Sequence, residues 1–278
     1  MEKISCPICK SINNKKPFIT LKDRFLLKDK INFTLTKCEC DFIFLNPRPT
    51  ESNISKYYLD KNYTSHNRKS IFYSVLQKLS FSWKESLIKK YIHSKDALLL
   101  DYGSGKGEFA TYLNNKNYNV DTFEPILKNS NRNKKLVGKK YDLIMLWHSI
   151  EHIHDINSAL LNICEMLNKK GVLLIACPNI DAIEKKYFNS KWVAYDAPRH
   201  LYHFNIKSIS SLLDKYSFKV EKIKNMYQDT FYNIYLSSKL TSFSILRFII
   251  VLFLVLIEGL YNFRNKASSY IYICKNIK

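Results

Sequence analysis

Four groups of residues in this chain have types and spacings that suit chemistry. The first is a glycine-dense stretch, Asp101-Tyr-Gly103-Ser104-Gly105-Lys-Gly107, placed after the apolar run Leu98–Leu100. Glycine lets the backbone come close to a ligand, and the first N–H groups of a following helix attract an anion. The spacing is G-x-G-x-G, whereas dinucleotide folds use G-x-G-x-x-G and phosphate loops use G-x-x-x-x-G-K-S/T. The second group is Trp147-His148-Ser-Ile-Glu151-His152, where an acid adjoins an imidazole. Histidine titrates close enough to neutrality to serve as a general base. The third is the polar and aromatic loop Trp192 to Phe204, with Tyr195, Arg199 and His200. The fourth is a set of cysteines, Cys6-Pro-Ile-Cys9 and Cys38-Glu-Cys40, flanking a β-like span. Zinc takes four soft ligands in a tetrahedron, so the two pairs suggest a small ribbon holding structural zinc. The second pair is one residue short of the usual knuckle, which leaves open a ribbon that folds without metal.

The elements that must position these groups follow from periodicity and breakers. A buried strand, Ala97–Asp101, runs into the glycine turn, and a helix follows over about 106–115. Tyr118–Phe123 alternates as a second strand and ends at Glu124. An acid at that place is where nucleoside-binding α/β folds grip a ribose diol, about 20 residues past the glycines. Tyr141–Trp147 reads as a buried strand with Trp147–His152 at its carboxyl end, where open α/β sheets place ligands. A helix at 157–167, a strand at 172–176, a helix at 206–216 and a strand at 218–223 follow. Ser269–Lys275 alternates and is expected to form the last, antiparallel edge strand. The 16 residues between Glu124 and Tyr141 are mostly Lys and Asn. A crossover between parallel strands needs a dozen or more, so a third strand there is expected to be shortened or missing.

The glycine turn with its leading acid resembles motif I of the class I S-adenosylmethionine-dependent methyltransferases. The order strand, Glu151-His152, helix, Lys169-Lys-Gly171, strand, Pro178-Asn179 resembles a subgroup related to ubiquinone O-methyltransferases and sugar C-methyltransferases. The Trp192…Asp196-Ala-Pro-Arg-His200-Leu stretch and the N-terminal cysteines match the same subgroup. The resemblance implies an α/β fold: a Rossmann-like methyltransferase sheet with a small N-terminal zinc-ribbon-like domain. The expected division is a ribbon at 1–50, a helical lead-in at 51–95 that could cover the ligand cleft, and a methyltransferase domain at 96–278 with a helical insertion at 229–262.

The resemblance also implies a cofactor, S-adenosylmethionine, bound by Asp101, Gly103, Ser104, Gly105, Gly107 and Glu124, with Trp147 and His148 beside it. The amide-rich turn would take the carboxylate of the donor and Asp101 would face its cationic end. The acceptor is expected to be a small molecule or a saccharide, by analogy with surface-polysaccharide sugars. A hydroxyl or carbon acceptor must lose a proton, so His152 is the first candidate base, with Glu151 as its orienter, and His200 is the second. Glu151 and His152 could instead cap the following helix. Arg199 could hold an anionic acceptor, with Tyr195 and Trp192 walling its pocket, or Arg199 and His200 could anchor the loop. A degenerate fold without catalysis and another nucleotide-cofactor enzyme are the rival readings.

Composition bounds the partners. The chain has 278 residues and a formal charge of +20. The lysines are spread along the whole chain without an arginine-rich block, so no nucleic-acid partner is expected. The chain opens without a leader pattern, which points to the cytoplasm, where cysteines stay reduced. Phe248–Ile257 are ten consecutive apolar residues between Arg247 and Glu258. A bilayer span normally needs about 20. The stretch 243–260 therefore reads as a buried or homodimer-forming helix, or as an interfacial helix at the inner membrane face, ahead of a true span. Cys164, Cys177 and Cys274 lie in apolar contexts and read as core.

Overall fold

The computed structural model describes the chain except residues 13–14, 26–30, 59–70, 93, 95, 126–135, 137, 243, 263–265 and 278. The strands are β1 (Lys15–Lys22), β2 (Asn32–Cys38), β3 (Ile43–Leu45), β4 (Leu98–Tyr102), β5 (Asn119–Phe123), β6 (Tyr141–Trp147), β7 (Leu167–Pro178), β8 (Tyr202–His203), β9 (Phe218–Asn225) and β10 (Ser269–Asn276). The helices are α1 (Glu51–Ile54), α2 (Ile71–Ile88), α3 (Glu108–Asn114), α4 (Ile156–Met166), α5 (Lys185–Phe188), α6 (Ile206–Asp214), α7 (Tyr227–Lys239) and α8 (Ser244–Asn262). These fall into two compact units, one of residues 1–57, 176–212 and 223–271, the other of residues 58–175, 213–222 and 272–278.

The second unit carries the site-bearing part of a six-stranded sheet in the order β5-β4-β6-β7-β10-β9. β4 pairs in parallel with both β5 and β6, Leu99 facing Val120 on one side and Leu143 on the other. The buried runs Leu99–Tyr102 and Leu143–Leu146 explain why these strands sit at the centre. Strands covered on both faces read as continuous apolar runs. α4 starts where Asp155 caps it, its carboxylate accepting from the Ser158 amide at 3.0 Å. An Asp in this position satisfies an otherwise orphaned helical N–H. Among the described residues β5 is the sheet edge, and the interval expected to hold a vestigial third strand lies mostly outside them.

Contrary to what its alternation suggests, the last strand does not lie at the sheet edge. β10 is interior, between β7 and β9, and β9 is the edge. Ser269–Cys274 are buried throughout, whereas β9 exposes Lys219, Glu221 and Lys222. The Ser/Tyr/Ile alternation of β10 thus marks two covered faces, because its tyrosines pack inside.

The first unit holds a four-stranded sheet in the order β1-β2-β3-β8. Its fourth strand comes from far along the chain, Tyr202 pairing with Phe44 and His203 with Ile43. The sheet is cemented by rings: Phe42 lies 5.4 Å from Phe204 and 5.8 Å from Phe44. Buried Arg48 clips the same strands together, donating to the Tyr202 hydroxyl at 2.8 Å and to Glu2 at 2.7 Å. The N-terminal 57 residues therefore belong to a unit completed by later segments. α7 and α8 occupy the region expected to be a helical insertion and lie in this unit. Cys164, Cys177 and Cys274 are buried.

Candidate active site and cysteine cluster

β4 ends at Tyr102 and the chain turns through Gly103, Ser104 and Gly105 before α3. Gly103 and Ser104 both donate their amides to the Phe123 carbonyl, at 2.7 and 3.1 Å, which ties the turn to the end of β5. The next amide, Gly105, donates to Oε2 of Glu124 at 2.8 Å. The glycine turn and the acid closing the second strand are therefore side by side, and the turn already holds a carboxylate oxygen.

The two leading glycines have different reasons. Gly103 has φ +80°, and a Cβ there would lie 2.3 Å from the Ser149 Cβ. It is a packing glycine, and Ser149 above it is fixed by donating to the Tyr102 carbonyl at 2.8 Å. Gly105 has φ +54° and nothing within 4 Å of the Cβ position. That open space is where a ligand can reach the backbone. Gly107, φ +76°, is the N-cap of α3.

Three polar groups near the turn stand out. Asp101 is buried, and its carboxyl is lifted to about 6 by that burial, with the Lys84 ammonium opposing and Glu124 adding. Such a group ionises at a cost, and a cation placed beside it offsets that cost. The Ser104 hydroxyl and the Trp147 indole N–H are buried and have no hydrogen-bond partner among the described residues. Native structures rarely leave buried polar atoms so.

α2 contributes residues that no sequence motif marks. Lys84 Nζ lies 4.5 Å from the Trp147 ring and 5.3 Å from that of Phe109, and Trp83 meets Trp147 edge-on at 6.5 Å. The helix is anchored by buried Glu85, which accepts from Lys116 at 2.5 Å and from Tyr112 at 2.9 Å. Burial works to raise the Glu85 carboxyl, but the Lys116, Lys89 and Tyr112 hydrogen bonds outweigh it and hold it at about 2. The signal in the sequence was a Trp-Lys-Glu step on an amphipathic helix, whose facing partner only the fold reveals.

At the carboxyl end of β6, His148 adopts φ +51° and places Nδ1 3.5 Å from the buried Glu151 carboxylate. His152 follows in a short 3₁₀ turn, and its Nδ1 lies 2.9 Å from the Tyr58 hydroxyl. Tyr58 is a further residue with no motif around it. Asp101, Gly103, Ser104, Gly105, Gly107, Glu124, Trp147, His148, Glu151 and His152 thus all belong to one unit, at the carboxyl ends of β4, β5 and β6.

Trp192, Tyr195, Arg199 and His200 lie together in the other unit. Trp192 and Tyr195 are buried and pack edge-on at 5.0 Å. His200 Nδ1 is 2.8 Å from the Ala194 carbonyl, so that nitrogen carries the proton. Arg199 is fully buried; it binds Asp23 through both terminal nitrogens, at 3.0 and 2.8 Å, and Asp196 at 2.8 Å. Asp196 also pairs with Arg24 at 3.0 Å. Burial works against the Asp196 charge, yet the Arg24 and Arg199 guanidiniums hold its carboxyl well below the usual range. This network pins the loop to the N-terminal segment, and the Asp23 end of it had no signal in sequence.

The four cysteines converge. Cys6 and Cys40 sulfurs are 3.7 Å apart, Cys9 and Cys38 sulfurs 3.4 Å, and all four lie within 4.8 Å of one another. Tetrahedral zinc with Zn–S of about 2.3 Å needs sulfur edges of about 3.8 Å. Two tight turns produce this. The Lys10 amide donates to the Cys6 carbonyl and the Asp41 amide to the Cys38 carbonyl, with Lys10 and Asp41 both at positive φ. The short C-x-C spacing thus reaches the centre because Asp41 closes its turn. The cluster could hold zinc.

Comparison with known proteins agrees with this geometry. Residues 69–223 match the model of a methyltransferase domain family. The fold is similar to that of the 4+2 cyclase SpnF, at 12% identity over 83% of this chain and 98% of that one, with a TM-score of 0.50. It is also similar to a putative sarcosine dimethylglycine methyltransferase from Galdieria sulphuraria (15% identity, 71% and 85% covered, TM-score 0.45). A third likeness is to an S-adenosylmethionine-dependent methyltransferase from Archaeoglobus fulgidus (17% identity, 74% and 100% covered, TM-score 0.42). No curated protein matches the sequence. With more than half of its length in the family match and the glycine turn at the tip of the first sheet strand, the chain belongs to the class I S-adenosylmethionine-dependent methyltransferases.

Proposed function

We propose that this enzyme transfers a methyl group to a small-molecule or saccharide acceptor, with His152 as general base. The observation that carries the reading is the Gly105 amide bound to Glu124 beneath open space. A carboxylate at the end of the second strand is placed to take a ribose diol, and the turn's amides suit a carboxylate. Ser104 and Trp147 offer buried donors, and Asp101 offers a charge that a cation would stabilise. S-adenosylmethionine supplies an activated methyl group on a sulfonium. The protein then has to align acceptor and donor and to remove the acceptor's proton. With the Nδ1–H of His152 donating to the Tyr58 hydroxyl, Nε2 is the unprotonated nitrogen offered to an acceptor. Glu151, buried beside His148, fixes the turn that carries His152.

By analogy with the resembled subgroup, Trp192, Tyr195 and Arg199 are proposed to recognise the acceptor, with His200 as the second candidate base. The Asp23 and Asp196 ion pairs to Arg199 make its first task the shape of the loop that carries it. Cys6, Cys9, Cys38 and Cys40 are proposed to bind one structural zinc, and 243–260 to be a contact surface for a membrane or a second copy. Analogy with the sugar C-methyltransferases suggests a role in surface-polysaccharide synthesis. The test is release of S-adenosylhomocysteine from S-adenosylmethionine over a panel of nucleotide-linked sugars and hydroxylated small molecules. Turnover lost in His152→Ala and retained in His200→Ala supports the assignment; the opposite pattern moves the base to His200. Zinc assay of purified protein with and without Cys6→Ser tests the metal.

A further inference from the structure

We propose that the hairpin of α7 and α8 docks this enzyme onto an anionic lipid surface. The inference rests on reading 243–260 as a contact surface and names which partner covers it. α7 is amphipathic the wrong way round for a helix facing water. It buries Thr230, Asn233, Ser237 and Ser238 around a single apolar residue, Ile234, and it exposes Tyr227, Phe231, Tyr232 and Tyr235. Water would favour the reverse arrangement.

α8 continues the face. Ile245, Leu246, Ile249, Ile250, Phe253, Leu256 and Ile257 are each between 38% and 77% exposed. At 3.6 residues per turn these positions share an arc of about 140°, running about 18 Å along the axis. Val251 and Val255 are buried on the other side. The two helices are locked by Phe248, whose ring meets Phe231 edge-on at 5.3 Å and Tyr235 at 5.9 Å. No described helix is long and apolar enough to cross a membrane, so the face would lie in the plane of the interface. Monomers rarely expose contiguous apolar patches of this kind without using them.

Charge decides between lipid and a second copy. Lys239 sits 4.4 Å from the Tyr235 ring, and exposed Arg247 donates to the Tyr187 carbonyl at the border of the apolar arc. An aliphatic centre, then tyrosines, then cations is the order that depth in a lipid interface imposes. The chain carries +20 overall. Two such copies repel, whereas an anionic leaflet attracts each one.

The experiment is co-sedimentation of the full chain with phosphatidylcholine vesicles, with and without phosphatidylglycerol, at low and high salt. Sedimentation velocity and binding of S-adenosylhomocysteine are read on the same samples. The expected result is binding to the phosphatidylglycerol vesicles that weakens with salt and with omission of the anionic lipid. The double variant Ile249→Glu, Phe253→Glu should lose at least about tenfold in partitioning, with S-adenosylhomocysteine binding unchanged. Lys239→Ala and Arg247→Ala should each lose about fivefold. No sedimentation with either vesicle overturns the proposal. Equal binding to neutral vesicles, or a dimer that the double variant dissociates, overturns it as well. Vesicle binding without S-adenosylhomocysteine binding would overturn the cofactor assignment and leave the docking surface standing.

Discussion

Alanine at Gly103 and at Gly105 should produce opposite phenotypes. Both residues have positive φ, +80° and +54°. A Cβ in the left-handed region costs about 1–2 kcal/mol. At Gly105 that is the whole cost to the free protein, since nothing lies within 4 Å of the added carbon. At Gly103 the Cβ would sit 2.3 Å from the Ser149 Cβ and 2.8 Å from its Oγ. Ser149 must move, which breaks its hydrogen bond to the Tyr102 carbonyl at a cost of about 1 kcal/mol. Overpacking adds about 1–3 kcal/mol. Urea unfolding should therefore report about 1–2 kcal/mol lost in Gly105→Ala and about 3–6 kcal/mol in Gly103→Ala. Affinity should follow the other order relative to stability. The Gly105 methyl fills the space a ligand needs, so S-adenosylhomocysteine binding should fall at least about tenfold, which is about 1.4 kcal/mol. A Gly105→Ala protein with wild-type affinity would refute the reasoning, because the open space above that residue would then not be the cofactor's approach.

Three further outcomes are expected. Tyr58→Phe removes the hydroxyl from His152 Nδ1, worth about 1 kcal/mol or about fivefold in kcat. S-adenosylhomocysteine affinity should stay unchanged, so that the loss is confined to turnover. Burial raises the Asp101 carboxyl from 3.8 to about 6. Its contribution to stability is therefore full below about pH 4 and is lost as pH rises through about 6, a swing of about 3 kcal/mol. Asp101→Asn should flatten that dependence in urea titrations and weaken binding of the cationic donor above pH 6 more than below it. Asp23→Ala leaves the buried Arg199 without its bidentate partner, and unfolding should report a loss of about 3 kcal/mol.

The parts of the fold visible in sequence are those whose cause is local. Leu98–Tyr102 and Tyr141–Trp147 are apolar runs that only a covered strand accommodates, and they are β4 and β6. The glycine turn was legible because three left-handed residues within five positions have few other uses. Glu124 was legible from its distance along the chain, and the structure sets its carboxylate on the Gly105 amide. What escaped depends on pairing between distant segments. Nothing near Tyr202 says that it extends a sheet begun at Lys15, and nothing in Ser269–Asn276 separates an interior strand from an edge. Lys84, Tyr58 and Asp23 escaped for the same reason: each meets its partner across 63 to 176 positions or only once the fold is formed. The outward aromatic face of α7 was also hidden, because a mixed Tyr/Asn/Ser sequence does not declare which face is inside.

The most direct measurement is a calorimetric titration of the purified full chain with S-adenosylhomocysteine, beside the Gly105→Val variant. A saturable heat in the parent, absent from the variant, is the predicted result. No heat and no thermal shift in the parent would contradict the account, since the turn at Gly103–Gly105 and the Glu124 carboxylate would then hold no cofactor.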